Sequence, residues 1–170
     1  MKSLFCFLVL SFAFSNYQVA QSLNQWIPDP ETDERILVGY GNRQGLEDSE
    51  FNSYFETEYQ AYQPVDTVCD YLENNTADIK ITIVLGTWCH DSQEQVPRFF
   101  RILDEIDFNP DKLIMIGVDR NKTGGEVDIS DLDIKRVPTF IFFRDNKELG
   151  RIIETPMQSL EEDMMTIVRQ

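Results

Sequence analysis

The spacing of apolar and polar positions divides the chain into an apolar N-terminal run, a polar lead-in and a train of segments with strand or helix periods. The lead-in, Gln21 to Glu34, carries two prolines and is expected to attach loosely. Arg35 to Tyr40 reads as a short strand. Between Leu46 and Tyr62, the rings of Phe51, Tyr54, Phe55, Tyr59 and Tyr62 recur at spacings of three and four, which predicts one helix packing an aromatic stripe inward. Val65, Val68, Cys69 and Leu72 mark one face of the next helix, Val65 to Glu73. Ile79 to Leu85 and Leu113 to Val118 have the length and apolar content of buried strands. From Asp91 to Ile106 the residues Val96, Phe99, Phe100, Leu103 and Ile106 follow a helical period. An acidic, glycine-containing connection then leads to a strand from Thr139 to Phe143, a turn at Asp145-Asn146 and a strand from Glu148 to Glu154. A last helix turns Leu160, Met164, Ile167 and Val168 inward. Parallel crossovers followed by a hairpin predict an α/β fold: a mixed central sheet with helices on both faces.

The first residues change this picture. Met1-Lys2 precedes an apolar run from Leu4 to Phe14 that is too short to span a bilayer but fits the hydrophobic region of a signal peptide. Cleavage is expected after Ser15 or Ala20, and Cys6 leaves with the peptide. The chain therefore reads as a signal peptide over 1–20, an N-terminal strand and helix extension over 21–64 and one domain over 65–170. Export is the expectation, to the periplasm if the cell is Gram-negative, with no membrane insertion after cleavage.

Charge narrows the partners. The formal net charge is −15, and loss of Lys2 leaves 14 basic against 30 acidic residues. Such a surface repels phosphate backbones and anionic lipid, so nucleic acid is not an expected partner. Glu126, Asp128, Asp131 and Asp133 lack the spacing of a calcium loop and read as a solvated acidic loop. With His90 the only histidine and no cysteine–acid cluster at zinc-ligand spacing, no metal site and no cofactor is expected.

Two cysteines remain in the mature chain. Cys69 lies on an apolar helical face and reads as a buried structural thiol. Cys89 sits where a buried strand hands over to a helix start, the position at which partial positive charge and free N–H groups favour a thiolate. The polar residues His90, Asp91 and Ser92 that follow argue for its exposure. An imidazolium at His90 beside the sulfur would favour the thiolate further, and Asp91 with Glu94 makes a helix-capping pattern.

The segment Trp88-Cys89-His90-Asp91-Ser92, with Pro97 five residues after Ser92, resembles the Trp-Cys-x-x-Cys active-site helix of thioredoxins. Val118-Asp119-Arg120-Asn121 resembles the end of their third strand, Ile134 to Phe140 the loop holding their cis-proline, and Phe142 to Glu148 their hairpin. The four motifs come in order over Val65 to Gln170, and the extension with a Cys-x-x-Ser motif looks most like the small exported thioredoxin-family proteins of Bacteroidetes-type bacteria. The resemblance implies a thioredoxin fold, a cis Pro138 facing Cys89 and a Val137 backbone that pairs with bound peptide; Trp88, Val137 and Pro138 are the expected substrate-binding residues, with Trp88 packed beside the thiol as its shield. Ser92 stands at the resolving position, where a hydroxyl cannot displace a thiolate from a mixed disulfide. The family's buried Asp and third-strand Lys are matched by Ile83 and Met115, which removes that acid–base apparatus. The expected function is thiol–disulfide exchange through the single thiol of Cys89, with protein or small-molecule thiols and disulfides as partners and a monomeric protein. The alternative is a non-redox peptide-binding or accessory module on the same fold.

Overall fold

Ile79–Leu85 forms the central strand of the molecule because every second residue, Ile79, Ile81, Ile83 and Leu85, is fully buried on one face while the other face carries Lys80, Thr82 and Val84. The computed structural model describes residues 22–170, so the run Leu4–Phe14, Cys6 and the cleavage sites lie outside the described residues. In chain order the elements are β1 (Trp26–Pro28), β2 (Arg35–Leu37), β3 (Gly39–Gly41), α1 (Arg43–Glu47), α2 (Asn52–Ala61), α3 (Asp66–Glu73), β4 (Ile79–Leu85), α4 (His90–Glu105), β5 (Leu113–Gly117), β6 (Thr139–Arg144), β7 (Lys147–Ile153) and α5 (Leu160–Val168). The main sheet has the order β3-β5-β4-β6-β7, and β1 pairs with β2 in a separate hairpin. β4 and β5 run parallel through the crossover helix α4, and the other neighbours are antiparallel. A mixed sheet with one parallel crossover, closed by a β-hairpin and a final helix, is the thioredoxin-like α/β architecture expected from the sequence.

Three local expectations are corrected. Arg35 to Tyr40 is not one strand: Gly39 takes a positive φ of 92° and swings the chain from β2, in the hairpin, to β3, at the edge of the main sheet. Nor is Leu46 to Tyr62 one helix. Asp48 ends α1 and the chain re-enters helix at Asn52, so that Phe51 and Phe55 are buried while Tyr54 is exposed. The lead-in is not loose, since Trp26–Pro28 is paired to Arg35–Leu37 and the Asn24 N–H donates to the Tyr40 carbonyl at 2.8 Å.

Apolar side chains of the five α-helices join one large core with Ile79, Ile81, Ile83, Leu85, Phe140 and Phe142 of the sheet. On the opposite face of the sheet, Val127 and Ile129 of the connection between β5 and β6 pack with Val84, Ile116, Val118 and Val137 in a smaller cluster. That connection carries a short 3₁₀ turn at Ser130–Leu132 and holds Lys122, Gly125 and Asp133 at positive φ values of 63°, 64° and 49°. Away from the loop the face meets solvent, and Ile114 and Ile153 are 47% and 46% exposed.

Candidate active site

Strand β4 ends in Gly86-Thr87-Trp88-Cys89, and each residue of this turn is fixed by a different partner. Thr87 is buried and its hydroxyl accepts the Leu37 N–H at 3.1 Å, while its carbonyl accepts from the Gln93 side chain at 2.9 Å. The indole N–H of Trp88 donates to the Val118 carbonyl at 3.0 Å, beyond the end of the neighbouring strand β5. Trp88 lies against Gly86 so closely that a Cβ there would stand 2.6 Å from the indole. Only glycine lets the ring settle on the backbone at that point.

Cys89 is the N-cap residue of α4, with extended backbone angles (φ −94°, ψ 128°) and no side-chain cap bond. The positive end of the helix therefore lies at the thiol. The thiol is partly exposed and its Sγ stands 3.2 Å from the Val137 carbonyl, to which it donates. The Val137–Pro138 peptide is cis, both residues are buried, and the Pro138 carbonyl accepts the Glu154 N–H at 2.7 Å. Trp88, Cys89 and Val137 thus meet over the smaller cluster, with Pro138 next to them in the chain.

The remaining residues singled out in the sequence are placed as follows. Ser92 is fully buried, and its Oγ accepts the Gly86 N–H at 3.3 Å, so the hydroxyl ties the helix start to the end of β4. His90 is exposed, and its ring makes no hydrogen bond to a described residue. The capping pattern of Asp91 and Glu94 is corrected, because the helix begins two residues earlier than that pattern needs and Glu94 instead pairs with Arg98 at 2.6 Å. Ile83 and Met115 are buried and lie directly opposite each other in the β4–β5 register. Cys69 is buried on α3, and burial, reinforced by Glu161 and Glu105, pushes its thiol up to about 11.

Sequence reasoning missed the buttress behind Trp88. The guanidinium of Arg120 lies 5.2 Å from the Trp88 ring centroid and grips Asp29 from the hairpin turn, Nε at 3.0 Å from both carboxylate oxygens and Nη2 at 2.7 Å from Oδ2. Asp29 also accepts from the Glu31 N–H and the Thr32 hydroxyl, and its side chain is 1% exposed. The only local signal was Pro28-Asp29-Pro30, a turn former; the partner is 91 residues away.

The Arg120 hydrogen bonds hold the Asp29 carboxyl at about 2, against the opposing effect of burial. Because this folded value lies below that of an unfolded aspartate, about 3.9, the pair stabilises the fold fully above that pH and the contribution is lost as pH falls toward 2. Urea unfolding of wild type and Asp29→Asn between pH 7 and 2 is expected to show a stability gap that closes below about pH 4. A gap that stays constant with pH would mean that the carboxylate charge is not what Arg120 holds.

No protein-family model matches the chain, and no curated protein matches it. Among solved structures it is similar in shape to a protein of unknown function from Pseudomonas aeruginosa (TM-score 0.48, 11% identity, covering 72% of this chain and 82% of that one). It is also similar to the thioredoxin of Fasciola hepatica (TM-score 0.38, 19% identity, 59% and 88% covered) and to that of Trypanosoma brucei brucei (TM-score 0.36, 19% identity, 66% and 95% covered). At such scores and identities, the likeness says nothing about this chain's substrates or partners.

Proposed function

We propose that the protein carries out thiol–disulfide exchange through the single thiol of Cys89, outside the cytoplasm. The observation that carries this reading is the position of Sγ: at the uncapped start of α4, partly exposed, and 3.2 Å from the carbonyl that precedes the cis-proline. In the reaction, the Cys89 thiolate attacks one sulfur of a disulfide R–S–S–R′, forming Cys89–S–S–R and releasing R′–S⁻. An external thiolate then attacks the sulfur of R, giving a new disulfide and restoring the Cys89 thiolate, so the pair of electrons that enters with one thiolate leaves with the other. The buried Ser92 hydroxyl has no part in either step. Partners are thiols and disulfides of proteins or small molecules, and Leu4–Phe14 supports secretion.

Mass spectrometry of protein isolated from its host without reductant tests this reading. A mixed disulfide on Cys89 and a mature N-terminus between Asn16 and Gln21 are expected. Absence of any adduct on Cys89, together with inertness toward added disulfides, would sink it. It would leave the non-redox peptide-binding reading, in which the backbone of Val137 beside the cis-proline holds an extended segment without covalent chemistry.

Alkylation separates the two thiols. Burial holds the Cys69 thiol at about 11, so very little of it is thiolate at neutral pH. Cys89, partly exposed at the start of α4, is expected to react with iodoacetamide far faster than Cys69 in the folded protein. Similar rates at the two positions would contradict the assignment of Cys89 as the reactive thiol.

A further inference from the structure

The hairpin formed by β1 and β2 has strands of three residues each, too short to be stable alone, yet it spends a buried carboxylate on its turn. Covering a carboxylate is costly even when a partly exposed guanidinium pairs with it, and apolar residues of similar size would anchor a hairpin as well or better. What an apolar anchor would not supply is direction. The planar guanidinium of Arg120 is fixed by three hydrogen-bond contacts to Asp29, and the same group lies over the Trp88 ring. The indole is constrained on three sides: Arg120 over its ring, the Gly86 backbone against it, and the Val118 carbonyl at its N–H. Of these only Arg120 is held from outside the sheet, and its holder belongs to the hairpin.

We propose that Arg120 is a positioning residue of the site: clamped by Asp29, it fixes the Trp88 indole beside Cys89 and makes the N-terminal hairpin a working part of the reactive centre. The clamp sets how far the thiol is shielded by the neighbouring ring. This deepens the reading of Cys89 as the reacting thiol and rests on it.

The two tryptophans are Trp26 and Trp88, so Trp26→Phe isolates the fluorescence of Trp88. In that background, acrylamide quenching of Trp88 and the second-order rates of Cys89 with iodoacetamide and with 2-hydroxyethyl disulfide are measured for Arg120→Gln, Arg120→Lys and Asp29→Asn. Arg120→Gln is expected to raise the quenching constant at least about twofold and the iodoacetamide rate at least about threefold. Asp29→Asn should move both readouts in the same direction, although Asp29 makes no hydrogen bond to Trp88 or Cys89. Arg120→Lys keeps the charge but not the planar, bidentate grip, and should fall between wild type and Arg120→Gln. Far-UV circular dichroism identifies any variant that fails to fold, and Arg120→Lys then decides by itself. Quenching and alkylation unchanged from wild type in the folded variants would overturn the proposal and leave the pair a simple anchor. Wild-type protein that alkylates at Cys89 but ignores 2-hydroxyethyl disulfide would instead remove the exchange reaction, with the quenching and alkylation results still deciding the role of Arg120.

Discussion

Ser92→Cys is expected to raise turnover in a dithiol-dependent protein-disulfide reduction assay at least about tenfold over a wild type that shows little or none. Release of substrate from a mixed disulfide needs a second nucleophile, and a correctly placed intramolecular one can have an effective molarity of about 10⁵ M or more, which no external thiol reaches. Position 92 lies one helical turn from Cys89, on the side that faces the end of β4. The substitution costs about 1 kcal/mol, because sulfur accepts the Gly86 N–H more weakly than the hydroxyl does. The gain should stop short of an ordinary dithiol enzyme, since Ile83 and Met115 offer no proton shuttle. Wild type, Ser92→Cys and Cys69→Ser belong in the same assay. Robust wild-type turnover that disappears in Cys69→Ser would identify Cys69 as the resolving thiol and refute the single-thiol reading.

Phe99→Ala is expected to destabilise the fold by about 3–5 kcal/mol, the range for removing a large buried ring. Phe99 is fully buried on α4, its centroid 4.4 Å from that of Phe140 and 6.1 Å from that of Phe142, so it joins the helix that begins at Cys89 to the strand that follows the cis-proline. Such a loss is a large part of the roughly 5–15 kcal/mol that a domain possesses. For a chain of this size it should lower Tm by about 10 °C. Ile114→Ala, on the solvent-facing side of the sheet, serves as the control and should cost much less. A Phe99→Ala cost below about 1.5 kcal/mol in urea titration would mean that the surrounding rings close over the gap, contrary to a tightly filled interior.

What was legible in the sequence was local or repeated. The run Ile79–Leu85 and the spacing of Val96, Phe99, Phe100 and Leu103 each announce an element, and the polar residues after Cys89 announce a strand end that is open to solvent. The direction of β3 was not legible, because it is set at a single residue. The positive φ of Gly39 turns the chain out of the hairpin into β3, antiparallel to β5. The Asp29–Arg120 pair was invisible for another reason. Neither residue stands out among 45 charged side chains, and only the folded chain brings positions 91 residues apart together. The structural duty of Ser92, holding the Gly86 N–H, depends on a burial that no pattern around it announces.

The two unequal clusters divide the site between parts of different cohesion. Cys89 starts a helix rooted in the large core, whereas Val137 is held by the small one together with the β5–β6 connection. Amide exchange should therefore proceed in two tiers: the connection and the backbone around Val137 exchange through a partial opening of low free energy, while β4 and α4 exchange only on global unfolding. Such an opening would carry the carbonyl that accepts the Cys89 thiol away from it and uncover the reactive group without unfolding the helix that it starts.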